Sequence, residues 1–156
     1  GGTQLYVDLY FLGSVQEETH STGAVTAAYS LNPDFCVAVD VTHGDSPDAA
    51  QEKTFPLGKG PVTGLGPNCT NCMTRRLETM AKESKIPVQY EVMAGSSGTN
   101  GWPVQIVREG IATAVLSIPL RYMHTPIEAV HLDDLANAAQ LLAAFVKGLG
   151  KETEAL

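Results

Sequence analysis

The 156-residue chain predicts an α/β domain, a three-layer sandwich whose largely parallel or mixed sheet carries helices on both faces. Three observations lead there. Short apolar runs that read as buried strands alternate with stretches of helical spacing from one end to the other. Gly and Pro, 15 and 9 of them, interrupt those runs often, as many short elements require. The length suits one domain, residues 1–156, with a core large enough to need no disulfide staple.

Each element follows from local pattern. Residues 5–16, rich in aliphatic, aromatic and β-branched side chains, read as a buried strand. A helix is expected over 22–31, with Ala24, Ala27 and Ala28 on one side and Asn32-Pro33 as its stop. Residues 35–41 (Phe-Cys-Val-Ala-Val-Asp-Val) form a second buried strand. A polar loop over 42–55 leads to a short irregular strand over 57–62. Met73, Leu77, Met80 and Ala81 recur at helical spacing and predict a helix over 71–84. Val88, Tyr90 and Val92 alternate, so 88–93 is a strand. A small-residue loop over 94–101 precedes a helix over 102–109, with Pro103 harmless in its first turn. Residues 112–118 are a strand, 119–131 a long loop, and 132–149 a final helix with Asp133 and Asp134 at its positive end. The polar tail after Gly150 is expected to fray.

Composition excludes some functions. A net charge of -7 argues against binding nucleic acid or an anionic membrane. No apolar run is long enough to span a membrane, and no basic-then-apolar leader is visible, so a cytoplasmic protein is expected. The three cysteines cannot all pair. Cys69 and Cys72 have C-x-x-C spacing, but a zinc ribbon needs a second pair and only Cys36 remains.

In open α/β sheets, ligands bind beyond the carboxyl ends of the strands. The first expected strand ends at Glu17 and Glu18, and the second delivers Asp40. The strand over 88–93 opens into the loop holding Gly98 and Thr99. The strand over 112–118 runs into Arg121 and His124. Carboxylates and an imidazole thus gather at one sheet edge, the oxygen and nitrogen donors of a hydrolytic zinc or cobalt site. Each has a plainer reading: a solvated turn for the Glu pair, a turn cap for Asp40, a hydrogen-bonded loop residue for His124. Arg121 either binds a substrate carboxylate or pairs with an acid. The loop over 95–101 lacks the Lys-Ser/Thr ending of a P-loop. It is either a backbone-lined pocket or a tight connection.

Four stretches together carry a resemblance: Val15-Gln16-Glu17-Glu18, Ala38-Val39-Asp40-Val41-Thr42-His43, Gly98-Thr99-Asn100-Gly101, and above all Ser117-Ile118-Pro119-Leu120-Arg121-Tyr122-Met123-His124. In that order, and over nearly the whole chain, the sequence resembles the dinuclear-metal aminopeptidases that include the glutamyl, deblocking and tetrahedral TET enzymes. Some members carry cellulase or endoglucanase labels. An adjacent Glu pair is not a glycosidase's carboxylate arrangement, so endoglucanase activity ranks below peptidase.

The resemblance implies a hydrolase-like aminopeptidase domain with peptide substrates and two divalent ions, zinc or cobalt. By position it assigns Glu17 as general base and Glu18, Asp40 and His124 as metal ligands. Gly98, Thr99 and Arg121 fall at the substrate. Members of the family are roughly twice as long. Their His-x-Asp segment, bridging Asp and inserted oligomerisation domain should precede residue 5, where this chain has no counterpart. The expectation is therefore the C-terminal part of a catalytic domain, with three of five ligands and none or one of the two ions held. It is either active with a missing N-terminal half or a non-catalytic, self-associating module. A half-sheet leaves an open strand edge and apolar surface, so a homo-oligomer is expected.

Overall fold

A computed structural model describes residues 4–47 and 49–150; the polar tail expected to fray lies outside the described residues. The α/β expectation holds, and the sheet is mixed. Its elements are α1 (Glu17–His20), α2 (Thr22–Leu31), β1 (Phe35–His43), β2 (Val62–Leu65), α3 (Asn71–Ser84), β3 (Gln89–Val92), α4 (Gly101–Val104), β4 (Ala112–Arg121), β5 (Ala129–Val130) and α5 (Leu132–Gly148).

The strands stand in the order β1-β4-β2-β3, with β5 also on β4. β4 is the axis of the sheet. It runs parallel to β1 from the Phe35–Ala112 pair to His43–Leu120, and antiparallel to β2 at Val62–Ser117 and Thr63–Leu116. β2 and β3 are parallel.

Alternation along β4 separates two faces. Ala114 and Leu116 point to one side, into a core closed by Met73, Leu77 and Ala81 of α3 and by Ala138, Leu141 and Phe145 of α5. Helical spacing aligns those six residues on facing stripes, so burying them against the strand drives both helices onto it. Val115 points to the other side, with Ala38 and Met93. There α2 packs through Ala24 and Ala28 against Val104, Val107 and Ile111.

One carboxylate ties the core to the sheet edge. Asp134 in the first turn of α5 is fully buried. Its Oδ2 accepts from Gly58 N–H and its Oδ1 from Gly60 N–H, both at 2.7 Å. Gly60 has φ 93° and would put a Cβ 1.9 Å from the Pro87 carbonyl oxygen, so glycine is required there. This clamp explains why the irregular strand expected over 57–62 is a turn up to Pro61, with β2 beginning only at Val62.

Residues 5–16 depart furthest from expectation. They form neither a strand nor a buried element: Leu5, Tyr6, Leu9, Tyr10, Leu12 and Val15 are exposed, and Phe11 is 92% exposed. A strand exists only when another lies alongside to take its N–H and C=O groups. Among the described residues, the one backbone hydrogen bond made within 5–15 is the Val15 carbonyl accepting from Gly23 at 3.1 Å. The helix expected over 102–109 is also shorter, a single turn followed by further turns to Gly110.

Candidate functional site

Glu17 and Glu18 are carried by the helical turn α1, not by a strand end. Gln16 before it has φ 59° and Ser21 after it φ 51°. Two left-handed residues thus pinch a four-residue turn, directing both acids out of the chain's path.

The opposing wall is the loop after β4. Tyr122 and His124 have φ 61° and 60°. Thr125 Oγ1 ties the loop together by donating to the carbonyls of Tyr122 and Ile127 at 2.6 and 3.0 Å. His124 N–H donates to Glu128 Oε1 at 2.8 Å. Left-handed backbone at a residue bearing a Cβ costs of order 1–3 kcal/mol and persists where the surroundings impose it. Of the seven such residues among those described, four are Gln16, Ser21, Tyr122 and His124. Strain is concentrated on the two segments that face each other.

They meet through His124 Nε2 and Glu18 Oε2, 3.2 Å apart. Asp40 rises from β1 beside them, half-buried, with its Oδ1 accepting from Val41 N–H at 2.8 Å. Burial pushes the Asp40 carboxyl above its ordinary range; the Val41 N–H opposes this, Glu18 adds to it and His124 counters. Glu17 is raised in the same way, by desolvation first, then by Asp40 and Glu18, against His124. The four side chains therefore share one electrostatic neighbourhood, crowded with negative charge and wanting a cation.

The donor chemistry, carboxylate oxygen and imidazole nitrogen, suits a divalent ion. The expected ligand set does not close, however. Among the described residues no three His, Cys, Asp or Glu side chains stand close enough together to hold a metal ion. Glu18 and His124 touch, while Asp40 stands off on the strand.

The remaining candidates are held by other contacts. Gly98 has φ 68° and open space where a Cβ would be. Thr99 is buried, and its Oγ1 lies 3.0 Å from Ser97 Oγ and accepts from Gly101 N–H at 3.1 Å. Gly101 lies against Val115 Cγ2 and Ala38 Cβ, so this loop covers the row next to Asp40. Arg121 takes the second of its two readings and pairs with an acid. Its Nη2 lies 2.9 Å from Asp45 Oδ1 and its Nε donates to the Asp45 carbonyl, locking the 43–46 segment to β4. Sequence reasoning missed Glu128; its only signal is the Thr125-Pro126 turn that folds it back under His124.

A cavity of about 330 Å³ opens beside this wall, lined by His43, Gly44, Lys53, Leu120, Tyr122 and Met123 among others. No described helix is long and apolar enough to cross a membrane.

Residues 2–141 match the family model described as M42 glutamyl aminopeptidase. The chain is 39% identical over 142 residues to the lysyl aminopeptidase of Pyrococcus furiosus, covering 91% of this chain and 41% of that protein. An aminopeptidase from the archaeon Desulfurococcus kamchatkensis superposes with a TM-score of 0.78 at 36% identity, over 86% of this chain and 39% of its own. The TET aminopeptidase of a marine-sediment Thaumarchaeota archaeon reaches 0.82 at 28% identity, over 90% and 40%. The chain thus spans about 40% of the length of each. With the family model covering most of its length, it belongs to the M42 glutamyl aminopeptidase family of peptide hydrolases.

Proposed function

We propose that this chain carries part of the catalytic site of a metal-dependent aminopeptidase that removes residues from the N-termini of peptides. The observation that carries the reading is the contact between Glu18 and His124, with Glu17 and Asp40 in their field. Glu18, Asp40 and His124 are the proposed ligands of zinc or cobalt. A bound divalent ion would supply Lewis acidity and a water of lowered pKa. Glu17 would serve as the general base, accepting a proton from the attacking water and delivering it to the leaving amine. Gly98 and Thr99 shape the adjoining loop against the substrate. Arg121 acts there through Asp45, holding the segment that lines the 330 Å³ cavity. The described ligands make an incomplete cage, so the remaining donors are proposed to come from polypeptide corresponding to the other part of the relatives' length. A cytoplasmic location is proposed with this function.

A second reading rests on a different observation. The exposed apolar side chains of residues 5–15 favour a self-associating module that is not catalytic alone. An assay of the chain against aminoacyl chromogenic substrates, with zinc or cobalt added, separates the two. Turnover that disappears in Glu17→Gln supports the peptidase and ends the module reading. No turnover together with no metal uptake overturns the view that this chain is catalytic by itself.

A further inference from the structure

Residues 5–16 lead directly into the turn that carries Glu17 and Glu18, yet little fastens them. Among the described residues, a single hydrogen bond joins 5–16 to anything beyond Gly23. Asn100 Nδ2 donates to Ser14 Oγ at 2.9 Å, across 86 positions of sequence.

The two ends of that bond differ in rigidity. Asn100 is built into the loop that covers the sheet. Its carbonyl accepts from Val104 N–H at 3.2 Å, and the adjacent Gly101 lies against the side chains of Ala38 and Val115. Ser14 stands two residues before Gln16, whose left-handed backbone starts α1. A fixed point above the sheet thus reaches the root of the acidic turn. The other amide atom of Asn100, Oδ1, is buried without a partner. Ser14 is therefore the amide's one hydrogen-bond partner among the described residues, and losing it leaves the whole group unsatisfied. The tie holds whichever way the amide is turned, because a hydroxyl both donates and accepts.

We propose that Asn100 is a positioning residue for the acidic turn: through Ser14 it holds Glu17 and Glu18 where Glu18 reaches His124. The inference rests on the reading of Glu17 and Glu18 as site residues. Without this strut the turn is held by the Val15–Gly23 bond, by its continuation into α2, and by the Glu18–His124 contact, whose side chains are both largely exposed. An exposed pair of that kind is weak, so it follows the position of the turn and does not set it.

NMR of the full chain tests this with Asn100→Ala, Ser14→Ala, Ser14→Thr and the double alanine variant. Arg108→Gln is the control, since Arg108 Nε donates to the Tyr29 carbonyl at the far end of α2. The readouts are the nuclear Overhauser contact between the Glu18 γ-protons and the His124 ring, and the backbone order parameters of Glu17 and Glu18. Wild type should show the contact and order parameters of about 0.85. Each single alanine variant should lose the contact and fall below about 0.6, with no further loss in the double variant. Ser14→Thr, which keeps the hydroxyl, and Arg108→Gln should resemble wild type. Ser14 lies in the loosely held segment, so Ser14→Ala tests the tie even where Asn100→Ala fails to fold. Either alanine variant retaining the contact and the order parameters would overturn the proposal. So would an equal loss in Arg108→Gln, which would reduce the effect to general loosening. None of these readouts needs a metal or a substrate, so they fail independently of the peptidase reading, which the Glu17→Gln assay tests.

Discussion

On one face of β4, Ala114 and Leu116 lie sealed beneath two long helices, with Phe145, Leu141 and Met73 closing over them. On the other, Val115 clusters with Ala38 and Met93, with half-buried Cys69 packed against them; the next row holds Asp40 and a Ser117 hydroxyl with no hydrogen-bond partner among the described residues. One strand thus serves two purposes, because alternation lets neighbouring residues answer to different surroundings. The α3–α5 face maximises apolar burial and holds the fold. The opposite face carries Asp40, and the segments beside it keep left-handed backbone at Gln16, Ser21, Tyr122 and His124.

If the stability resides on the helical face, the largest effect belongs there. Phe145→Ala should lower unfolding free energy by about 3–5 kcal/mol through lost burial and a residual cavity. Urea denaturation measures it, and a loss under about 1 kcal/mol would mean that this face is not where the fold is held.

Next comes the tie between that face and the sheet edge. Asp134→Ala removes the acceptor of two backbone N–H groups. Hydrogen bonds to a charged group are worth about 1.5–3 kcal/mol each, so a loss of roughly 3 kcal/mol is expected. Amide exchange at Gly58 and Gly60 should speed up together. Slow exchange retained at both would show that something other than the carboxylate protects them.

The smallest effect should fall on the segment leading to the site. Phe11→Ser changes a side chain that is 92% exposed and should change the unfolding free energy measured in urea by no more than about 0.5 kcal/mol. Light scattering should at the same time report weaker self-association. A stability loss of several times that size would mean that residues 5–16 are packed in solution after all, and the contrast between the faces would narrow.

These contrasts also mark what could be read in advance. The stripe Met73, Leu77 and Ala81 defines α3 because a helix needs only its own backbone and one apolar side. Asp40 and His124 could be placed at one edge because the strands carrying them are short apolar runs with clear ends. Residues 5–16 have the composition of a strand, yet a strand is a relation between two segments, and composition describes only one. Asp134 looked like a charge favoured by a helix dipole. Its actual partners, Gly58 and Gly60, lie more than seventy residues away, and no local pattern announces them. Arg121 was undecided between substrate and acid for the same reason, since Asp45 is 76 residues distant.

The amino-acid sequence by itself determined the α/β class, the helices that seal the core and the identity of the four side chains at the proposed site. Periodicity and chemical type are local properties and survive without coordinates. Tertiary structure alone decided that Glu17 and Glu18 arrive on a pinched helical turn, that Glu18 meets His124 while Asp40 stands apart, and that Ser117 is buried in the next strand with no partner among the described residues. Those facts depend on distance across the sheet and on which groups are removed from water, and both exist only once the chain has closed on itself.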